Sequence, residues 1–218
     1  MLPEDKAWVL RREIVAAARR LHEQGLLPGP SGNLSARLDD ERVLVVPSGV
    51  PKARLQPEEL LVVDLGGRVL AGMRGLKPTS ELPMHLEVYR RRSDVAAVVH
   101  AHPAAAVALT LAGISLQEAV LPEAVLLLGE VPTTAYATPS TPENRGAVAK
   151  WIGQHDVILL ARHGALTVGH TLNEAVTRME VLEHTAQTLL WAHLVRRPEP
   201  LPPEAVEKLQ RVRATYGR

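Results

Sequence analysis

The chain contains no cysteine and no phenylalanine among its 218 residues. The missing cysteine excludes a disulfide, a thiolate nucleophile, an iron–sulfur cluster and any cysteine-bound zinc. A transition metal must therefore rest on histidine and carboxylate, and nine histidines are available for it. A surplus of one charge is missing too: 25 basic residues meet 24 acidic ones, leaving +1. Such a balance carries no electrostatic footprint for nucleic acid, though it leaves room for a local patch. No apolar run approaches the ~20 residues of a membrane-spanning helix. The opening Met1-Leu2-Pro3-Glu4-Asp5-Lys6 has no basic segment followed by an apolar one. A secretory signal is not expected, and the cytoplasm is the expected location.

What is present is an ordinary globular composition, 46% hydrophobic and 22% charged. A chain of this length buries roughly 70% of its unfolded surface and needs no staples. No repeat, low-complexity tract or linker interrupts it, so residues 1–218 are expected to form a single α/β domain. Apolar residues at three- and four-residue steps, among them Trp8, Ile14, Ala18 and Leu21, predict a helix over Glu4–Gln24, ended by Gly25. Short apolar runs at Asn33–Arg37, Arg42–Val46 and Leu60–Leu65 read as a strand meander. Pro78-Thr79-Ser80-Glu81 leads into a helix running to about Arg92. Asp94–His102 reads as a strand stopped by Pro103, followed by the helix Ala104–Leu111. The chain then reads as irregular to Pro139. Thr141–Gln154 is expected to be helical, with Thr141 as cap and Pro142 in the first turn. Val157–Val168 holds strand material, Thr171–Arg196 the longest helix and Pro202–Arg213 a short last one.

Four features carry chemistry. His100-Ala101-His102 lies on the expected strand, where residues i and i+2 project together and converge on one divalent ion. Strand-end histidines satisfied by backbone and water are the plainer alternative. His163, in Leu160-Ala161-Arg162-His163-Gly164, ends another apolar run, where a loop redirects the side chain. A capping or core histidine is the plainer reading there. Glu81 sits in the first turn of a helix, where the dipole favours a carboxylate, with Thr79 and Ser80 as N-cap candidates beside an anion site. A capped helix with an acidic first turn explains the same residues, and helix packing explains His85 one turn on. Finally, Ser31-Gly32-Asn33-Leu34-Ser35 and Pro47-Ser48-Gly49 are turns able to cradle a phosphate, or simply hairpin turns.

In this order along the chain, these motifs resemble the class II aldolase/adducin family. The resemblance also covers Ala135-Tyr136-Ala137-Thr138 and the terminal Ala214-Thr215-Tyr216-Gly217. It implies an antiparallel sheet covered by helices and a homotetramer with sites between subunits. It implies zinc, or another divalent metal, on His100, His102 and His163, with Glu81 as catalytic carboxylate and occasional metal ligand. It matches Asn33, Ser48, Gly49, Thr79 and Ser80 to the substrate phosphate, Tyr136 to a proton donor in the neighbouring subunit's site, and Tyr216 to a residue closing over the site. The implied reaction is reversible cleavage of a ketose 1-phosphate, L-fuculose 1-phosphate being the expected one, to dihydroxyacetone phosphate and an aldehyde through a zinc-stabilised enediolate. Arg162 departs from the family pattern, standing where another histidine precedes the metal histidine.

Three alternatives stand beside it: an L-ribulose-5-phosphate 4-epimerase, a sugar-phosphate lyase or dehydratase, and an adducin-like interaction module. Related epimerases carry aspartate where this chain has Glu81, which favours cleavage. His100, His102, His163 and Glu81 occurring together weigh against the module.

Overall fold

The computed structural model describes residues 3–216. Its centre is one seven-stranded sheet in the order β4-β3-β2-β1-β5-β7-β6. The strands are β1 (Asn33–Arg37), β2 (Arg42–Val45), β3 (Leu61–Asp64), β4 (Val69–Ala71), β5 (Ala97–Ala101), β6 (Val157–Leu160) and β7 (Gly164–Gly169). Every neighbouring pair is antiparallel. The helices are α1 (Pro3–Glu23), α2 (Leu82–Arg91), α3 (Ala104–Ala112), α4 (Pro142–Ala149), α5 (Leu172–Val195) and α6 (Pro203–Tyr216).

Strand alternation sorts these elements into layers. Leu34, Leu44, Val99 and Leu159 point to one face of the sheet, where they meet Ile14, Ala18 and Leu21 of α1, Leu109 of α3 and Met179 and Leu182 of α5. Val43, Val98, Ile158 and Leu166 point to the other, against Leu86 and Val88 of α2 and Val148 of α4. With both faces covered, central strands read as continuous apolar runs rather than as an apolar–polar alternation. On β1 the face towards α2 is different. Asn33 and Ser35 are polar, yet 3% and 0% exposed.

Several boundaries depart from expectation. The material at Val157–Val168 is two strands, because Arg162 takes a left-handed φ of 62° and turns the chain back on itself. β4 is a strand the sequence pattern missed. Its three residues are all exposed, so no alternation marks it, and Gly67 at φ 91° makes the turn into it. The stretch expected to be irregular contains a π-turn at Ala124–Leu128, closed by the Gly129 N–H on the Ala124 carbonyl at 3.0 Å. α4 stops at Ala149 instead of reaching Gln154, and the chain continues in successive turns. The cap of α2 is Glu81 itself rather than Thr79 or Ser80. The Thr79 hydroxyl accepts the Glu81 N–H at 3.3 Å and so shapes the turn before the helix. Thr141 is the cap residue of α4, but its hydroxyl donates to the Thr138 carbonyl at 2.6 Å.

One long-range cap organises the apolar layer. α3 begins after Pro103 with no side-chain cap of its own. Glu183 of α5, 6% exposed, accepts the N–H groups of Ala105 and Ala106 at 3.0 Å each. A carboxylate at a helix N-terminus satisfies orphan donors and complements the dipole. Among the described residues no helix is long and apolar enough to cross a membrane.

Candidate active site

The chemistry-bearing residues converge where five segments meet at one end of the sheet. Asn33, at the start of β1, lies directly opposite His100 of β5 in the antiparallel register. Cross-strand partners project to the same face, here the face covered by α2. His102 follows the end of β5, its backbone pinned by an N–H bond to the Leu26 carbonyl at 2.9 Å. His163 closes the turn between β6 and β7, its N–H donating to the Leu160 carbonyl at 3.0 Å. Glu81 comes in from the cap of α2.

The three imidazole rings form a triangle with centroids 4.8–5.0 Å apart. One nitrogen from each lies within 4.8 Å of the others. Gly164 makes this approach possible. A Cβ there would stand 2.3 Å from the Ala101 carbonyl oxygen and 3.0–3.1 Å from the His100 and His102 rings. His100 Nδ1 donates to the Ala165 carbonyl at 2.9 Å, so Nε2 is the nitrogen turned to the shared space. That is the outer hydrogen bond expected of a ligating histidine. Burial, then the neighbouring His100, pushes His102 and His163 down to about 4. Both are therefore neutral at pH 7, as a ligand nitrogen must be. His163 Nδ1 is buried with no hydrogen-bond partner. Three convergent imidazoles, two of them held neutral by burial, one unpaired nitrogen and a glycine-made cradle fit a divalent ion held by three histidines with a position left open.

Glu81 faces this triangle. Its Oε2 is 3.0 Å from His100 Nε2, and its Oε1 is 3.6 Å from His163 Nε2. Burial alone would raise the carboxyl. The pull and hydrogen bond of His100, the Asn33 amide and His163 outweigh burial and hold it well below the usual carboxylate range. Oε2 also accepts the Asn33 amide N–H at 2.9 Å, whereas Oε1 is buried and unpaired. One oxygen is fixed and the other is free to take a proton.

Behind Glu81 runs a buried chain of polar groups that the sequence reading did not find. The Glu81 carboxylate accepts, so the Asn33 end facing it must be the NH2. Asn33 Oδ1 then accepts from His85 Nε2–H, leaving His85 Nδ1 to accept the Ser35 hydroxyl at 2.6 Å. The Tyr89 hydroxyl lies 2.8 Å behind Ser35 and supplies the last donor. Burial pushes His85 down to about 3 and raises Tyr89, so both stay neutral. His85 is thus more than a packing residue. The available signal was Ser35 and His85, polar groups at core-facing positions of β1 and α2.

Next to the histidines is a cavity of about 190 Å³. Ser48, Gly49, Thr79 and Ser80 line it, as do Lys52 and Ser140, which the sequence reading did not single out. Two loops come together here because Ser48 N–H donates to the Lys77 carbonyl at 2.9 Å and Thr79 N–H to the Val46 carbonyl at 3.2 Å. Ser140, at a left-handed φ of 62°, donates its hydroxyl to that of Ser80 at 3.0 Å. Asn33 is also in the wall, where its amide gives one N–H to Glu81 and accepts from His85. Tyr136 is 62% exposed and outside this wall. Tyr216 ends α6, and its side chain and Gly217 lie outside the described residues.

Residues 12–190 match the family model described as the class II aldolase and adducin N-terminal domain. The chain belongs to this family. The class II aldolase relatives include 5-deoxy-D-ribulose 1-phosphate aldolase of Bacillus thuringiensis serovar kurstaki, 31% identical over 95% of this chain and 97% of that one. A second is 3-oxo-tetronate 4-phosphate decarboxylase of Pectobacterium atrosepticum, 34% identical over 82% of this chain and 83% of that one. Among solved structures, L-fuculose-1-phosphate aldolase from Thermus thermophilus superposes with a TM-score of 0.77 at 36% identity, covering 91% of this chain and 100% of that one. The antiparallel sheet covered by helices and the enzyme class expected from the sequence are borne out. The protein is an enzyme of the class II aldolase family, which is metal-dependent, and its named relatives are lyases acting on sugar phosphates and related compounds.

Proposed function

We propose that this class II aldolase-family enzyme reversibly cleaves a ketose 1-phosphate, L-fuculose 1-phosphate first, to dihydroxyacetone phosphate and an aldehyde. The observation that carries the reading is the Glu81 carboxylate, buried and ionised, with one oxygen fixed by Asn33 and the other unpaired beside the triangle of His100, His102 and His163.

His100, His102 and His163 would hold the divalent ion, zinc by donor type. When bound, it supplies a Lewis acid that stabilises negative charge developing on substrate oxygen. Glu81 Oε1 takes the proton from the substrate carbon or hydroxyl in one direction and returns it in the other. Asn33 keeps the carboxylate aimed throughout. Ser48, Gly49, Thr79 and Ser80 hold the phosphate by hydroxyl and backbone donors, which orients the reacting carbon against Glu81. Asn33 gives one N–H to Glu81 and its carbonyl to His85, which leaves its second N–H for the phosphate.

The same reading treats residues 1–218 as one domain and sets the protein in the cytoplasm. It assigns Tyr136 to a neighbouring subunit's site as proton donor, within a homotetramer, and Tyr216 to closure over the site. The exposure of Tyr136 supports the first of these roles.

The test is a substrate panel offered to zinc-loaded protein: L-fuculose 1-phosphate, 5-deoxy-D-ribulose 1-phosphate, L-ribulose 5-phosphate and 3-oxo-tetronate 4-phosphate. Dihydroxyacetone phosphate release from the first is expected. Epimerised pentose phosphate without cleavage, or carbon dioxide from the last alone, would replace the aldolase reading with an epimerase or a decarboxylase.

A further inference from the structure

Only five of the 25 basic residues are lysines, and one of them, Lys52, is 1% exposed. It sits in a short 3-10 turn, Lys52–Arg54, after Pro51. Its Nζ donates to the Pro30 and Val50 carbonyls at 3.0 Å each. An ammonium has three N–H donors, so one remains uncommitted. No carboxylate pairs with it among the described residues, and burial alone pushes it down to about 8. Its two acceptors belong to the two loops flanking the cavity, Pro28–Gly32 and Pro47–Val50. Apart from the histidines, Lys52 is the only basic side chain among the residues that line the cavity.

A buried charge without a counter-ion is destabilising unless something else compensates it. Both groups that accept its hydrogen bonds are neutral carbonyls, and the one carboxylate in the cavity wall, Glu81, is engaged by His100 and Asn33. Around it are hydroxyls of Ser48, Ser80 and Ser140, which suit an oxyanion but do not neutralise an ammonium. In a site of low dielectric, one fixed positive charge acts strongly over a few ångströms.

We propose that Lys52 is a specificity-determining residue. Its buried charge, held between the two loops, selects a substrate bearing a phosphate dianion over an uncharged sugar. The inference rests on the reading of the cavity as a phosphate site. It explains how a chain of net charge +1 holds an anion at this cavity.

Inorganic phosphate is the probe, titrated calorimetrically into metal-loaded protein, two variants that lack the charge and one that restores it. Lys52→Gln keeps a donor for the carbonyls without the charge, and Lys52→Met removes both. Wild type is expected to bind phosphate, both variants to bind it at least tenfold more weakly, and their metal content to be unchanged. Lys52→Arg, which restores the charge, is expected to recover most of the affinity. Phosphate affinity unchanged in Lys52→Gln, whatever happens in Lys52→Met, would reduce Lys52 to a loop tether and overturn the inference. If Lys52→Met does not fold, Lys52→Gln and Lys52→Arg decide. A wild type that binds no phosphate would instead remove the phosphate reading of the cavity, and the role of Lys52 with it.

Discussion

The Asn33 amide donates to Glu81 Oε2 at 2.9 Å across 48 residues of chain, and its carbonyl end is held in turn by His85. Glu81 is therefore aimed from behind. Removing the donor in Asn33→Leu is expected to lower kcat by roughly 10–100-fold, the range seen for outer groups that orient a site. KM and bound metal should change little. His85→Leu should act in the same direction through Asn33, and His85→Gln, which keeps a donor for Asn33, should recover part of the loss. Steady-state kinetics with metal analysis separates these outcomes, and unchanged kcat in both Asn33→Leu and His85→Leu would show that the chain does not position Glu81.

Glu81→Gln preserves the shape of the side chain and removes its basicity. General acid–base groups contribute about 10²–10⁴-fold, so turnover should fall by that order while the metal stays bound. His100→Ala should do the reverse first: metal content falls, and activity follows. Atomic absorption on the purified variants tests the pair. Full metal and full activity in His100→Ala would dissolve the histidine site.

The pH response follows from His102 and His163, held at about 4 against an ordinary 6.5. Below 6.5 the unfolded chain binds these protons more tightly than the folded one, so acid favours unfolding. Their contribution to stability is complete above pH 6.5 and is lost as pH falls towards 4. The urea midpoint of chelator-treated protein should therefore drop between pH 7 and pH 5, and less so in a His102→Asn, His163→Asn double variant. An equal drop in both proteins would place the sensitivity elsewhere.

Gly164 is required by contact rather than by backbone angle. Its Cβ would lie 2.3 Å from the Ala101 carbonyl oxygen. Gly164→Ala should cost about 1–3 kcal/mol by overpacking, because β7 must move away from β5. The same movement widens the histidine triangle, so metal affinity should fall alongside the urea midpoint. Loss of stability with unaltered metal affinity would mean that the strands yield without disturbing the rings.

The helices α1, α3 and α5 and the central strands were legible because apolar periodicity reports one-sided or two-sided burial directly. β4, all exposed, and the π-turn at Ala124–Leu128 were not, since neither carries a periodic apolar signal. At the site, the residue types pointed to a metal through His100, His102 and His163, and to a carboxylate through Glu81. Nothing in the residue order showed that Asn33 serves Glu81 before it serves a phosphate.

The amino-acid sequence by itself determined the ligand chemistry: with no thiol in the chain, imidazole and carboxylate are the donors left for a transition metal. It also determined the layered helix–sheet class, because local periodicity needs no partner to be read. Only the tertiary structure decided which polar residues share a space. The register that sets Asn33 opposite His100, the turn at Arg162 that brings His163 back, and the two loops joined over Lys52 each depend on contacts between distant segments. Burial then gives those residues their properties. It keeps His85, His102 and His163 neutral, and among the described residues it leaves Lys52 without a carboxylate partner.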